Sequence, residues 1–542
     1  MGVGGLWDLL RPTGEPRSLT HLAVHEGFEA NPANVRGLRI GIDASIWFYH
    51  AAYGREGENP ELRTLFFRCA RLMRAPFLPL FVFDGPKRPN VKRGKRISGN
   101  QHWLTNGMKN IIEAFGFEWR MAPGEAEAEL AYLNSIGVID AIISDDVDNF
   151  LFGARMVVRN PSATLSGNKF HPLKNSDGRD DGNHSMVYRA SAIEEQVNLT
   201  RGGMILIGLL SGGDYHPAGL QGCGPGIAAG LAKCGFGDQL LEATQTLSRA
   251  ELPGFLSNWR ASIRQELRTN SQKKMKSKRP ALAAALEEDF PDIEILLSYT
   301  NPITSGTDAS ARRTHVPPTW EREPDLGKIA HLCEMHFEWG IRETIIKRFR
   351  DVLWPPAVLR ILRRAVLEDD ARSRTATAGR ISMPSTPSKR GRAYDQDVPG
   401  TPSKMVTKHF SSIREGGGED EEDLITKIHS TRQHASTDGI LEYRLEIAPA
   451  MLVRLSESGI QGLRQAADTT YDVYLSDEEF DDGDGEGAGK KKGEPVEPTT
   501  HLRMWLPACM VERVRPDLVA AYEGVAEKRQ TKKPGKGKAT TG

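Results

Sequence analysis

Cysteine is scarce in this chain: Cys69, Cys223, Cys234, Cys333 and Cys509 are all there are in 542 residues, and no two form a Cys-x-x-Cys pair. That argues against a disulfide framework or a zinc ribbon and fits a reducing compartment. The loose group His331, Cys333 and His336 falls in a helical pattern, where core packing explains it better than metal binding. Long apolar runs are missing too; no stretch of about 18 apolar residues could span a membrane. The first residues lack a basic segment followed by an apolar one, so no signal peptide is expected. Leu6 stands where a myristoylation signal needs Ser or Thr. Nor does either sign of charge dominate. With 71 basic against 71 acidic residues, only the distribution of charge can speak about nucleic acid.

That distribution is uneven. Basic residues gather at Lys87-Arg88, at Lys92-Arg93 with Lys95-Arg96, from Lys273 to Arg279, and from Lys528 to Lys538. Acidic runs lie at 419–423 and 477–484. Such runs are ordinarily solvated surface, so each needs independent support. Apolar runs at 38–42, 78–83 and 141–144 predict buried strands, and apolar residues at helical spacing over 60–73, 107–115 and 201–210 predict helices. The alternation predicts an α/β fold, a mainly parallel twisted sheet with helices on both faces. A glycine-dense loop follows at 212–226, then further helices to about 371. Residues 372–436 are rich in Ser, Thr, Pro, Gly and charge and read as a disordered linker. A small β-rich module is expected over 437–526, with an acidic loop near 478–489, and then a basic tail over 527–542.

The chemistry lies in where acidic residues fall. Asp43 and Asp84 end the first two predicted strands, and Asp146 and Asp148 follow the third in Ser-Asp-Asp-Val-Asp. A parallel sheet presents ligands just outside the carboxyl ends of its strands, so these four should meet on one rim. Glu125 and Glu127 open a helix before the third strand, and Asp214 follows a helix. Crowded carboxylates repel one another, and divalent cations relieve the repulsion. Oxygen-only ligands favour Mg²⁺ or Mn²⁺, and two such ions can clamp both oxygens of an in-line displacement at phosphorus. The plainer alternative makes these residues helix caps and turn acids. For Glu125 alone it is as good a reading, and for Glu129, capping or solvation is the better one.

Met-Gly-Val-Gly-Gly-Leu-Trp at the start, then Gly-Ile-Asp-Ala-Ser, Phe-Val-Phe-Asp-Gly, Pro-Gly-Glu-Ala-Glu-Ala, Ser-Asp-Asp-Val-Asp and Gly-Gly-Asp-Tyr resemble, in order and spacing, the XPG family of structure-specific nucleases. The resemblance covers roughly residues 1–240. It implies a PIN-like nuclease core made of an N-terminal region (1–100), an internal region with a helix–two-turns–helix element (101–240) and a helical remainder (241–371). It further implies metal-ligand or metal-water roles for Asp43, Asp84, Glu125, Glu127, Asp146, Asp148 and Asp214, with two Mg²⁺ that Mn²⁺ can replace; Asp145 matches a non-ligand position. Gly222, Gly224 and Gly226 resemble the phosphate-binding turn of that element, where the family also binds K⁺. Glycines let backbone approach a phosphate closely.

Lys92, Arg93, Lys95 and Arg96 fall where the family has an arch of basic helices over the active site. A cation there, Lys92 first and Arg93 second, would neutralise charge developing on the scissile phosphate; a solvated loop is the alternative. Lys273, Lys274 and Lys276 are candidates for phosphates further along a duplex. Trp7 with Leu6 reads most simply as core. The short interval between Asp84 and Glu125 leaves little room for a closed flap-threading arch, and 118–160 looks like the GEN/Yen Holliday-junction resolvases. Segments around Glu442–Glu446, Leu502–Trp505 and Pro516–Glu523 resemble a divergent chromodomain, which those enzymes carry; an unrelated small β module is the alternative.

The resemblance thus implies a Mg²⁺-dependent endonuclease that resolves branched DNA in the nucleus, as a homodimer on a four-way junction. A flap endonuclease or 5′ exonuclease is the nearest competitor, and a faint sliding-clamp peptide at 403–410 would favour it. A non-catalytic DNA scaffold is the remaining alternative. Two Thr-Pro-Ser-Lys steps, at Thr386 and Thr401 beside Lys389-Arg390-Gly391-Arg392, match the pattern read by cyclin-dependent kinases. Phosphate there would add about −1.5 to −2 charges per site. A plain tether is the alternative.

Overall fold

The computed structural model describes residues 2–54, 57–96, 102–159, 173–314, 316–379, 423–465 and 497–531. The apolar runs become the centre of a sheet: β1 Glu15–Ser18, β2 Leu38–Asp43, β3 Phe77–Phe83, a detached hairpin β4 Val91–Lys92 and β5 Lys95–Arg96, β6 Glu118–Met121, β7 Ala141–Ile143, β8 Met156–Arg159 and β9 His184–Arg189. The seven strands of the main sheet run in the order β1-β9-β8-β7-β2-β3-β6. From β8 across to β6 every pairing is parallel, whereas β9 and β1 are added antiparallel at one edge. The mainly parallel sheet is therefore as expected. Its antiparallel edge was not expected, because β1 and β9 are half-polar and carry no long apolar run.

Parallel strands are buried on both faces, which is why β3, Phe-Leu-Pro-Leu-Phe-Val-Phe, is apolar throughout and buried at every position. On one side lies the helix Pro60–Leu72, opened by proline in its first turn, with Leu62, Leu65, Phe66, Cys69 and Leu72 turned inward. On the other lies the helix Ala126–Ser135. Gly41 of β2 lets it come close: a Cβ there would meet Leu130 and Ile139 at 2.4 and 2.5 Å.

A second sheet, β10 Ile425–Gln433, β11 Leu441–Ile447 and β12 Leu502–Pro507, is antiparallel throughout and carries the helices Ala508–Val514 and Pro516–Thr531. It is no loosely tethered module. Its apolar face and the helices Leu326–His336 and Trp354–Gly379 belong to one continuous hydrophobic cluster with β2 and β3. The expected boundaries shift accordingly. The helix Trp354–Gly379 runs into the stretch expected as linker, and β10 lies inside it too, so the module begins before residue 437. β10 escaped notice because its sequence, Ile-Thr-Lys-Ile-His-Ser-Thr-Arg-Gln, is polar apart from two isoleucines, as befits a strand at the sheet's edge. The helix Pro516–Thr531 likewise enters the supposed basic tail. The rest of that linker, with Thr386, Thr401, the basic run between them and the clamp-like peptide, lies outside the described residues, as does the acidic loop near 478–489.

Candidate active site

The predicted rim exists. Asp43 is the last residue of β2 and caps the helix Ala44–Ala51, its Oδ1 accepting from Ser45 N at 2.7 Å. Asp84 follows β3; its Oδ2 accepts from Ser45 Oγ at 2.8 Å and its Oδ1 from Ala126 N at 2.9 Å. Asp84 therefore caps the Ala126–Ser135 helix, which frees Glu125. That residue holds the cap position in the chain but makes no side-chain capping bond. Instead its two oxygens reach Lys92 Nζ at 2.9 Å and the hydroxyl of Tyr215. Helix capping as the role of Glu125 is thereby set aside. Asp146 and Asp148 lie beyond β7, with Asp146 Oδ1 accepting from Asp148 N at 3.0 Å.

The cationic centre of this cluster comes from the β4–β5 hairpin. Lys92 Nζ lies against Glu125, against Glu127 at 2.5 Å, and against Asp214 at 3.1 Å. Lys92 and Lys95 pair across the hairpin, so Arg93 and Gly94 form its turn, with φ of +53° and +70°. Left-handed backbone is costly for arginine, and here contacts hold it. Arg93 N donates to the Asp214 carbonyl at 2.7 Å while its guanidinium grips both carboxylate oxygens, at 2.6 and 3.2 Å. The expected basic helices over the site are, among the described residues, this two-stranded hairpin. A chain reversal this short is built by a two-residue turn rather than a helix. Lys95 and Arg96 form its exposed second strand and, among the described residues, make no ion pair with the carboxylates.

Burial pushes Asp43 up to about 7, assisted by the adjacent Asp84 charge, and burial with the Asp146 and Asp214 charges raises Asp148 well above the usual carboxylate range. Burial alone would lower the Lys92 pKa, but Glu127, Glu125 and Asp214 outweigh it and hold the ammonium charged. Among the described residues no three His, Cys, Asp or Glu side chains converge as a closed metal cage; the ammonium occupies the middle. Oxygen-bound divalent cations nevertheless fit the donor set. The donors are all carboxylates, and the buried Asp148 Oδ2 has no hydrogen-bond partner.

Several groups at the site were not singled out from the sequence. Val3 N donates to Asp148 Oδ1 at 2.9 Å, and a Cβ on Gly2 (φ +82°) would lie 2.3–2.4 Å from Asp148 and Asp146. Glycine at position 2 thus lets the first residues lie on the carboxylates. Gly5 in turn abuts Pro225, at the glycine turn, so one short segment joins both places. Tyr215 and Arg88, which reaches Asp84 at 3.4 Å, complete the surroundings. Tyr215 was visible in the Gly-Gly-Asp-Tyr motif and Val3 in the opening Met-Gly-Val-Gly-Gly, but neither motif said which carboxylate its backbone or hydroxyl would meet. Glu129 corrects the sequence reading. Fully buried, it binds Arg120 at 3.1 Å and takes two hydrogen bonds from Ser305, so it is neither cap nor solvated. Leu6 is core as expected, and Trp7 Nε1 donates to the Asp145 carbonyl.

Around Gly222, Gly224 and Gly226 a Cβ would meet nothing within 4 Å, so the turn faces open space. Gly224 caps the helix Pro225–Ala232, and Lys276 and Arg279 share a recess of about 220 Å³ with Gly224 and Gly226. Lys273 and Lys274 are exposed on the same loop.

Comparison with known proteins places these features. The XPG N-terminal domain matches residues 1–98, the XPG I-region 116–214 and the Holliday junction resolvase Gen1 C-terminal domain 424–525. Flap endonuclease GEN-like 1 of Arabidopsis thaliana is 31% identical over 281 residues, 47% of this chain and 42% of that protein. Flap endonuclease GEN homolog 1 of Homo sapiens is 30% identical over 45% of this chain and 26% of its own length, so the chain spans under half of these relatives. Flap endonuclease 1 of Sulfolobus acidocaldarius is 30% identical over 38% of the chain and 70% of its own length. Among solved structures, a eukaryotic junction-resolving enzyme GEN-1 binding cesium superposes with a TM-score of 0.67 at 29% identity, over 97% of this chain and all of that one. GEN1 with product DNA and Mg²⁺ gives 0.64 at 28% over the same coverage. The chain belongs to the XPG nuclease family and carries the Gen1-type C-terminal domain.

Proposed function

We propose that this chain is a structure-selective DNA endonuclease that resolves four-way junctions with Mg²⁺, or Mn²⁺ in its place. The observation carrying this reading is the meeting of Glu125, Glu127 and Asp214 on one ammonium, beside the strand-end carboxylates Asp43, Asp84, Asp146 and Asp148, in a fold like that of junction-resolving enzymes. Asp43, Asp84, Glu125, Glu127, Asp146, Asp148 and Asp214 would hold the ions. When bound, two such ions neutralise charge at phosphorus and activate water. The chain's own groups do the rest. Lys92 and Arg93 sit on a hairpin beside the carboxylates, positioned to meet the scissile phosphate. The open glycine turn with Lys273, Lys274 and Lys276 supports a second, sequence-independent grip on duplex, and K⁺ at that turn is part of the proposal. The short hairpin supports access for a continuous branched strand. We read the C-terminal sheet with its helices as chromodomain-like, the compartment as nuclear, and Thr386 and Thr401 as targets of a proline-directed kinase whose phosphates restrain the enzyme.

Purified protein incubated in Mg²⁺ with labelled four-way junction, 5′ flap and plain duplex tests the reading. Symmetric cuts in opposed junction strands are expected, with duplex left intact; exclusive cleavage of the flap would assign the chain to flap processing instead. One cluster per chain implies two protomers on each junction. Light scattering should show monomer alone and a dimer on junction. Paired cutting by a one-protomer complex would refute that stoichiometry.

A further inference from the structure

Away from the carboxylates, the catalytic core and the C-terminal sheet enclose a cavity of about 590 Å³, within the range of small-molecule sites, roughly 300–1,000 Å³. It lies beyond Asp145, which pairs with Arg159 at 3.6 Å rather than joining the cluster around Lys92. Seven arginines line the cavity against four carboxylates. Their placement follows from element geometry. Arg68 and Arg71 stand three residues apart on the helix Pro60–Leu72, hence on one face. Opposite them, strand alternation buries Tyr443, Leu445 and Ile447 of β11, so Arg444 comes out on the cavity side, with Arg503 on β12 beside it.

Guanidiniums thus outnumber carboxylates in a half-enclosed space, and that surplus positive charge costs free energy unless a further anion lies among them. Among the described residues neither Arg68, Arg444 nor Arg503 has a carboxylate within 4 Å. Arg68 meets the His50 ring, at 3.3–3.4 Å, and the face of Trp47, with Asp145 acting on it from further off, and Arg444 lies over Trp505. Burial lowers the Arg68 guanidinium to about 10 despite the Asp145 charge, and burial with the Arg68 charge lowers His50 to about 4, so the histidine adds no positive charge of its own. The floor holds a further unspent group: the hydroxyl of Ser185, fully buried, has no hydrogen-bond partner. A volume of about 590 Å³ suits a small molecule. Guanidinium forks match phosphate oxygens two at a time, and walls charged on both sides call for charge at both ends of the ligand.

We propose that this cavity binds a compact, polyphosphate-bearing small molecule, held by Arg68 from the core and by Arg444 and Arg503 from the C-terminal sheet. Bound there, it bridges the two sheets.

Isothermal titration calorimetry on the full chain, in EDTA so that the carboxylate site takes no part, tests this with inorganic tripolyphosphate, ATP and inositol hexakisphosphate. One saturable site for tripolyphosphate is expected, weakened at least about tenfold in Arg444→Glu/Arg503→Glu and altered less than about twofold in Lys273→Glu/Lys276→Glu. Both replaced arginines are exposed on their strands, so that variant should fold; Arg503→Gln, expected to weaken binding in the same direction, is the milder check. The protein's melting temperature should also rise with ligand concentration, because the ligand binds only the folded state. No saturable heat with any of the three probes, equal weakening by both double variants, or a loss confined to junction DNA would each overturn the proposal.

Discussion

At the scale of single residues, the centre of the site is an electrostatic contest between buried carboxylates and one lysine. Asp43, Glu127 and Asp146 come from three different elements and can be replaced by shapes that keep the fold. Their Asn and Gln variants should lose junction cleavage at least ~1,000-fold, about 4 kcal/mol of transition-state stabilisation. Junction affinity should survive, since phosphate contacts elsewhere supply most of it. Cleavage by Asp43→Asn at near-normal rate would remove these residues from the chemistry. Lys92 should matter even without substrate. Replacing it with Met leaves Glu125, Glu127 and Asp214 facing one another with no ammonium between them. Breaking such a buried pairing costs about 3–5 kcal/mol. Lys92→Met should therefore melt lower than the parent in EDTA, and added Mn²⁺ should recover most of the difference. Equal melting in EDTA would show that the ammonium does not hold the cluster.

Elements are tied together by a few polar side chains whose partners lie far away in sequence. Glu129 joins the Ala126–Ser135 helix to Arg120 of β6 and to the loop at Ser305. Glu129→Ala leaves a mostly buried guanidinium and two unpaired donors, a loss of about 3–5 kcal/mol in thermal unfolding. Glu129→Gln, which keeps acceptors for Ser305, should lose less. A loss below ~1 kcal/mol in the alanine variant would mean that this contact is solvated after all.

For the molecule as a whole, the question is what docks the C-terminal sheet on the core. Beside the shared apolar cluster stands a polar clasp. Ser18 and Asn183 bind the Ser436 carbonyl at 2.7 Å each, and His184 lies between Asp181 at 3.2 Å and Asp438 at 2.9 Å. Burial alone would lower the His184 pKa, but hydrogen bonds and charge from Asp181 and Asp438 prevail and raise it. Other groups near this clasp are His21, Arg17 and Glu26. A histidine raised in the folded state stabilises it fully below the unfolded value, and that contribution fades as pH climbs through the folded one. Asp181 is shifted the other way, lowered by the His184 bond against the effect of burial, so its contribution fades only in acid. The stabilisation that His184 itself supplies should hence be full below its unfolded value near 6.5 and fade as pH rises toward 8, while His21, lowered by burial, acts in the opposite sense. Melting curves of the parent and His184→Gln across that span should converge as pH rises. A constant gap would show that the histidine's charge does not change across this span and that the clasp is not pH-linked.

How much of this was written locally follows from the range of the forces involved. The three central strands, their flanking helices and the four carboxylates Asp43, Asp84, Asp146 and Asp148 could be read directly, because two-sided burial demands continuous apolar runs and strand ends mark the rim, whereas Glu125, Glu127 and Asp214 were assigned through the family resemblance. The hairpin turn at Arg93-Gly94 was within reach, yet its consequence was not: only packing brings Lys92 among Glu125, Glu127 and Asp214. The capping of the Glu125 helix by Asp84 likewise depends on two strands lying side by side. β1, β9 and β10 are edge strands whose partners supply most of their burial, so their own residues carry weak signals. Val3 at Asp148, the Asp438 clasp and the arginine-lined cavity all join positions distant along the chain. Periodicity gave the central strands and helices, and the resemblance of the acidic motifs pointed to the family and its carboxylates. Which groups share a space was decided by tertiary packing, because contact energies act over a few ångströms while the chain keeps no local record of what will come near.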